Sequence, residues 1–251
     1  MLTIIQVGHV EASDRYIRNK VKAIHSAGMK AEVVNLPEDC ATNDVLDAIF
    51  QADLKVECKA IMVQLPLPDH IDADVVLRNI PAHKDIDGLN PHSDFMPLTP
   101  YAIMRWLEKQ SIQLSGKNVA ILGRSNLVGK PLANLMIDAG ATVTVMNSVT
   151  KEWTRVAACR SADIIVSAVG HVGTLNSDYV NDNRGKIVID VGINRAHDGT
   201  LCGDVSYKAK LIIEQNGGIC TPVPGGVGKW TVEELLIRLA EMEARSEVVS
   251  E

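Results

Sequence analysis

Cysteines are few in this 251-residue sequence, and their arrangement does not suit disulfides or metal binding. The five are dispersed and lack CxxC spacing: Cys40, Cys58, Cys159, Cys202 and Cys220. An odd, scattered set argues against a disulfide framework and against a zinc site. We therefore expect buried or free thiols and a cytoplasmic protein, because the cytosol keeps thiols reduced.

An excess of positive charge is also missing. Lysine and arginine total 25 against 31 aspartates and glutamates, which gives a net charge of −6. A mildly acidic chain gives no support for a general nucleic-acid surface. No nucleic acid is expected as a partner.

Long hydrophobic runs are absent as well, and no stretch reaches the length of a membrane span. The apolar segment Leu2–Val7 lacks a basic leader and a small-residue cleavage site, so it indicates a strand and not a signal peptide. With 46% hydrophobic and 22% charged residues, the chain is typical of a soluble globular protein with one large or two modest domains.

Apolar segments alternate with amphipathic ones in the first hundred residues, which predicts a parallel α/β sheet. The predicted strands are 2–7, 31–36 and 60–63. The predicted helices are 13–27, 43–51 and a helix-like segment at 73–80.

A second alternating run resembles a doubly wound nucleotide-binding domain. Its predicted strands are 118–122, 142–146, 164–168 and 186–191, with a helix over 131–139. A helix over 99–110, with Thr99 as cap and Pro100 at its first position, links the two runs. Thr231 is expected to cap a terminal helix over 232–244. We predict a first domain at 1–98, with the C-terminal helix 230–251 packing back on it, and a second at 99–229.

A glycine-containing turn between a strand and a helix, Gly123-Arg124-Ser125 to Val128-Gly129, is a candidate anion site. Glycines let the backbone approach a pyrophosphate, and the helix N-terminus offers free N–H groups. Arg124 adds positive charge and Ser125 a hydroxyl. The spacing is not GxGxxG, so the pattern alone is equally compatible with an anion site and with an ordinary turn.

Two candidates concern the first domain. Tyr16 and Lys20 lie four positions apart on one helix face, which suits a proton-transfer pair if the face is desolvated; a solvated flank is the simpler interpretation. Gln64 ends a strand before Leu65-Pro66-Leu67-Pro68, where ligands of parallel sheets bind, although turn residues are common there.

Two loops complete the set of candidates. Lys84-Asp85-Ile86-Asp87-Gly88 offers carboxylates that could pair with the N–H edge of a pterin, or simply form a solvated turn. The segment Thr221 to Gly228 combines three glycines and two prolines in a rigid loop with exposed amides. A structural turn before the last helix is equally compatible with that composition.

Together and in this order, these motifs closely resemble the bifunctional methylenetetrahydrofolate dehydrogenase/cyclohydrolase family. Further matching segments are Ile189-Asp190-Val191-Gly192-Ile193-Asn194 and Gly203-Asp204-Val205. The resemblance spans nearly the whole chain. It implies an N-terminal α/β folate-binding domain, a Rossmann-like dinucleotide-binding domain and a cleft between them.

The resemblance also implies roles for individual residues. Lys20 matches the family's catalytic lysine, Tyr16 packs against the substrate, and Gln64 tunes the lysine. Asp87 holds the pterin, and Pro224 and Gly225 belong to a loop that closes over folate. The implied dinucleotide contacts are Gly123, Arg124, Ser125, Val128, Gly129, Ser148 and Ile193.

The implied reaction oxidises 5,10-methylenetetrahydrofolate with NADP, or NAD, to the methenyl compound, which is then hydrolysed to 10-formyltetrahydrofolate. No metal is required, and a homodimer built through the nucleotide-binding domain is expected. A dehydrogenase with weak cyclohydrolase activity and a non-catalytic folate- or nucleotide-binding relative are the alternatives.

This sequence departs from the family pattern at several places. Relatives usually carry a helical segment before the strand that begins here at Leu2, and a Gly-Arg-Leu element where this chain has the short stretch 89–98. Val149 stands where relatives often have lysine or arginine. Lys229-Trp230 replaces Pro-Met. The change at Val149 predicts weaker discrimination of NADP from NAD.

Overall fold

A computed structural model describes residues 1–9, 11–181, 184–196 and 198–248. It divides into two compact units, one formed by Met1–Leu98 with Val232–Glu251 and the other by Thr99–Thr231. Within the described ranges, no helix combines the length and apolar character of a membrane span.

The first unit is built on a three-stranded parallel sheet. Strands β1 (Leu2–Val7), β2 (Ala31–Leu36) and β3 (Ala60–Val63) alternate with helices α1 (Glu11–Ser26), α2 (Thr42–Leu54) and, after β3, α3 (Ala73–Arg78). The order is β2-β1-β3, so the central strand β1 is buried along its whole length.

Alternate side chains of β1 supply two cores. Ile5 and Val7 pack with α2 and α3 on one face, whereas Leu2 and Ile4 pack with α1 and with residues of the last helix on the other. A strand covered on both faces has a continuous apolar sequence, which is what this segment shows.

The second unit contains a five-stranded parallel sheet. Its chain order is α4 (Leu98–Lys109), β4 (Asn118–Leu122), α5 (Gly129–Asp138), β5 (Thr142–Met146), α6 (Glu152–Ser161), β6 (Ile164–Ser167), a 3-10 turn (Ser177–Tyr179), β7 (Ile187–Asp190), β8 (Asn194–Arg195), β9 (Leu201–Cys202), α7 (Tyr207–Gln215), β10 (Ile219–Cys220) and α8 (Val227–Val248). The sheet order is β10-β7-β6-β4-β5, while β8 and β9 form a separate antiparallel pair. This is a doubly wound order, with its switch point between β4 and β6.

The predicted α/β fold class with parallel sheets is confirmed, and β1 to β5 have the predicted bounds. Both predicted helix caps, Thr99 and Thr231, were wrong. Helix α4 already begins at Leu98, so Thr99 and Pro100 lie inside its first turn. Helix α8 begins at Val227, so Thr231 is not its cap; its hydroxyl instead donates to Val227 O at 2.9 Å. Trp230, in the first turn of α8, stacks on Trp106 with ring centroids 4.4 Å apart.

Helices α6 and α7 were not predicted from the sequence. Each buries few side chains: Cys159 in α6, and Ala209 and Ile213 in α7. Because so few positions are buried, the apolar residues of these helices show only a weak helical periodicity in the sequence.

Candidate functional site

Lys20 is a buried lysine on α1, with only 5% of its surface exposed. Its Nζ lies 3.1 Å from Met62 Sδ and 3.4 Å from Gln64 Oε1. The same atom lies 4.4 Å from the centroid of the Tyr16 ring, one helical turn earlier. Helix α1 and the end of β3 therefore bring together three residues that the sequence singled out.

Burial lowers the pKa of Lys20, and the opposing effect of the Asp87 charge is smaller. A thioether is a weak acceptor, so the amide oxygen of Gln64 is the strong acceptor among these contacts. An ammonium ion in such surroundings loses much of its hydration, which favours the neutral amine.

The neighbours of Lys20 are themselves held in defined states. Gln64 Nε2 donates to Leu65 O at 2.6 Å, which turns Oε1 toward the lysine. Burial, followed by the nearby charge of Asp87, raises the pKa of Tyr16 to about 12. Tyr16 is therefore a neutral phenol near pH 7 and presents an apolar ring with a polar tip.

The turn that carries Asp87 is fixed by its own backbone. The Asp85 carboxylate accepts from Gly88 N at 3.1 Å and from Asn90 N at 2.7 Å. Gly88 has φ +67°, and a Cβ there would overlap Met96 O. Burial raises the pKa of Asp87, while the charges of Lys20 and then Arg238 oppose that rise.

Arg238 on α8 is a residue that the sequence interpretation missed. It is 4% exposed, and its Nη1 donates to Ile86 O and to Met96 O, each at 2.8 Å. A signal was present, since Leu235, Leu239 and Met242 form the buried stripe of this helix. An arginine at helical spacing within an apolar stripe must find partners in the interior.

In the second unit, the candidate residues follow the carboxyl ends of parallel strands. Gly123 follows β4, Ser148 lies two residues after β5, Ile193 comes after β7, and Pro224 and Gly225 come after β10. Ligands of doubly wound sheets bind at this edge, beside the switch point. Most of these residues are exposed to solvent.

The turn after β4 requires glycine at both ends. Gly123 has φ +112°, and a Cβ on it would overlap Ala168 O, which follows β6. A Cβ on Gly129 would overlap Gly123 O. The Ser125 hydroxyl accepts from Val128 N at 3.1 Å, directly before α5 begins, and as an acceptor there it does not use its own proton.

Two buried aspartates lock the neighbouring loops to the sheet edge. The Asp204 carboxylate accepts from Ser167 Oγ, Val169 N, Gly170 N, His171 N and Asn194 Nδ2, at 2.8 to 3.2 Å. The Asp190 carboxylate accepts from Gly192 N, Asp204 N and Val205 N. Both aspartates lie in segments that match the family motifs, but the sequence alone suggested no role for either.

Both parts of the chain match the same family. Residues 1–87 match the family "Tetrahydrofolate dehydrogenase/cyclohydrolase, catalytic domain", and residues 97–247 match the corresponding "NAD(P)-binding domain". The chain belongs to the tetrahydrofolate dehydrogenase/cyclohydrolase family. The predicted resemblance is confirmed.

Individual members of this family resemble the chain over nearly its full length. "Bifunctional protein FolD" of Nitrosomonas europaea is 40% identical and aligns with 99% of this chain and 85% of its own. The crystal structure of the bifunctional enzyme FolD from Campylobacter jejuni has a TM-score of 0.90 and 38% identity, covering 97% of this chain and 88% of that one. A Trypanosoma brucei methylenetetrahydrofolate dehydrogenase-cyclohydrolase complexed with NADP cofactor and inhibitor has a TM-score of 0.88 and 33% identity, covering 98% and 86%.

The two matched regions coincide with the two clusters of candidate residues. The family's catalytic domain covers Tyr16, Lys20, Gln64 and Asp87, which are close together in the first unit. Its NAD(P)-binding domain covers the Gly123 turn and the other residues of the sheet edge. Arg238 also falls in that second sequence match, although it packs in the first unit.

Proposed function

We propose that this protein oxidises 5,10-methylenetetrahydrofolate to 5,10-methenyltetrahydrofolate with NADP and then hydrolyses the product to 10-formyltetrahydrofolate. Membership of the family supports both activities. The observation that carries the proposal is Lys20, a buried lysine with a lowered pKa, held by Gln64 beside Tyr16 and Asp87.

The residues of the first unit suit a reduced pterin. The Asp87 carboxylate accepts hydrogen bonds from the N–H edge of the ring, and Tyr16 offers a ring face for stacking. Pro224 and Gly225, which lie in the second unit, are assigned further folate contacts on the basis of the family resemblance.

Lys20 acts in the hydrolytic step. Its neutral amine takes a proton from water as the oxygen bonds to the methenyl carbon. The resulting ammonium can return a proton to the ring nitrogen when the carbon–nitrogen bond opens, which leaves the formyl group. One water is consumed and one proton is released overall. Gln64 keeps Nζ in place through both transfers.

The sheet edge of the second unit suits a dinucleotide phosphate. The Gly123 turn leads into the start of α5, where the first N–H groups of the helix can meet an anion. Arg124 and Ser125 add charge and a donor, and Val128, Gly129, Ser148 and Ile193 complete the proposed contact set. A nicotinamide dinucleotide held by these residues would supply the hydride acceptor for the oxidation.

An absorbance assay with methylenetetrahydrofolate tests both activities. Methenyltetrahydrofolate has its own chromophore, so its formation and its decay can be followed separately with NADP and with NAD. We expect both phases. Accumulation of the methenyl compound without enzymatic decay would support a dehydrogenase with weak cyclohydrolase activity. No methenyl formation with either cofactor would support a non-catalytic relative.

Cofactor preference is predicted to depend on Val149. This side chain is 83% exposed in the turn after β5, where Asn147 Oδ1 accepts from Val149 N at 3.1 Å. The 2′-phosphate of NADP favours cationic partners, and valine supplies none. We expect Val149→Lys to raise the ratio of kcat/KM for NADP to kcat/KM for NAD several-fold. One partly exposed ionic contact contributes about 1 kcal/mol, which corresponds to a change of that size.

The matched control is Val56→Lys, which introduces the same charge at a position that is 84% exposed in the first unit. It should leave the cofactor ratio within twofold. The interpretation of Val149 is wrong if the unmodified protein already prefers NADP by several orders of magnitude. An unchanged ratio in Val149→Lys would also contradict it.

A cytoplasmic homodimer, assembled through the nucleotide-binding unit, belongs to the same proposal. All five cysteines are free thiols, which supports a reducing compartment. Strand β5 lies at one edge of the five-stranded sheet, with Thr144 and Val145 exposed, and such an edge can pair with another chain. Light scattering at micromolar concentration should give twice the chain mass. A monomer mass would contradict the dimer.

A further inference from the structure

Arg238 connects the last helix to the peptide that carries Asp87. Its Nη1 bridges Ile86 O and Met96 O at 2.8 Å each, and Leu98 N donates to Asp87 O at 2.9 Å. The carbonyls on both sides of the Asp87 Cα are therefore held, one by a side chain 152 positions away and one by the following segment.

The guanidinium is itself held in one orientation. Its Cζ lies 5.3 Å from the centroid of the Phe95 ring, and the side chain is 4% exposed. A planar group that stacks on a ring and donates to two carbonyls has little freedom to move. Its charge consequently stays near Asp87, whose pKa it lowers.

The need for this second cation follows from the chemistry of the site. Lys20 must be neutral to accept a proton from water, and in that state it no longer offers Asp87 a positive charge. A partly desolvated carboxylate without a cationic partner tends to take up a proton and would then lose an acceptor for the substrate. Arginine keeps its charge when buried, whereas lysine does not.

We propose that Arg238 is a positioning residue that holds the Asp87 loop and keeps Asp87 ionised while Lys20 is neutral. This inference rests on the proposed function, because it assigns Asp87 to the folate substrate. It makes the last helix part of the folate site, through a residue with no assigned role in the proposed reaction.

A double-mutant cycle between Arg238 and Asp87 tests the inference. Arg238→Met keeps the length and the apolar packing but removes the charge and the donors. We expect it to raise the KM for methenyltetrahydrofolate about tenfold, with a smaller effect on kcat. In an Asp87→Asn background the same substitution should change KM less than twofold, because the group through which it acts is already gone. An equal loss in both backgrounds would overturn the proposal.

The pH profile separates a charge effect from a structural one. The charged or titratable groups that face Asp87 are Lys20 and Tyr16 from α1, Arg238 from α8 and Asp85 in its own turn. Without Arg238 the Asp87 carboxylate should protonate at higher pH, so the acid limb of 1/KM, which reports substrate binding and not the Lys20 step, should move up by about one unit. Arg238→Lys keeps a positive charge and should leave this limb in place even if the melting temperature falls; a full-unit shift in that variant would contradict the proposal.

Arg245→Met is the matched control, since Arg245 lies on the same helix and faces the same Phe95 ring at 5.9 Å but is exposed. Its KM should stay within twofold of the KM of the unmodified protein.

Failure of the proposed function would appear differently, as an unmodified protein without turnover. The Asp87 titration, followed by NMR without substrate, would still report on Arg238: an Asp87 pKa equal in the unmodified protein and Arg238→Met would overturn this inference alone.

Discussion

Replacing Lys20 by alanine should abolish the cyclohydrolase activity. Removal of a general acid–base group typically costs about 10²- to 10⁴-fold, and we expect a loss near the middle of that range. Lys20 contacts Gln64, Met62 and the Tyr16 ring. Within this set, the lysine is the group whose pKa burial lowers, whereas Tyr16 remains a phenol and an amide does not titrate.

The dehydrogenase step should survive this substitution much better. Hydride transfer depends mainly on the positioning of the two reactants and not on a proton transfer by the protein. Methenyltetrahydrofolate should therefore form and accumulate in Lys20→Ala, and its chromophore should persist. Lys20→Met, which fills more of the vacated space, should behave in the same way if the amine and not the packing is responsible.

Lys22→Ala is the control on the same helix, because Lys22 is exposed two residues further on. It should hydrolyse methenyltetrahydrofolate at nearly the unmodified rate. Hydrolysis at that rate in Lys20→Ala would refute the assigned role of Lys20.

The second large effect is expected for Asp87→Ala, which should weaken folate binding about 100-fold while nearly preserving dinucleotide binding. A half-buried carboxylate that accepts charge-assisted hydrogen bonds contributes about 2–3 kcal/mol. Asp87 lies in the first unit and the Gly123 turn in the second. Calorimetric titrations with a folate ligand and with NADP separately give the two affinities.

Comparable losses for both ligands would indicate unfolding or a wrong placement of Asp87. Asp74→Ala removes an exposed carboxylate from α3 in the same unit and should alter neither affinity. Since Asp87 raises the pKa of Lys20, Asp87→Asn should lower that pKa. The acid limb of kcat for hydrolysis, where Lys20 becomes protonated, should then move to lower pH.

The bounds of β1 to β5 could be predicted from local sequence, as could the shared helix face of Tyr16 and Lys20. Segments such as Leu2–Val7 and Ala60–Val63 are short apolar runs that end at glycine or at Gln64 before two prolines, and these signals act over a few residues. The i, i+4 spacing of Tyr16 and Lys20 places them on one helix face whatever surrounds it. The order of the motifs along the chain was sufficient to indicate the family.

What the sequence by itself determined is thus the alternating α/β pattern, the glycine-containing turn after β4 and the residue types available for chemistry. The tertiary structure alone decided that Lys20 is buried, that Arg238 reaches Ile86 and Met96 from a helix 142 to 152 positions away, and that Asp204 closes the loops after β6 and β7. Desolvation and charge proximity are properties of position in space, and they fix the protonation of Lys20 and Asp87. A local pattern carries no such information, because the groups that set each pKa lie far apart in the chain.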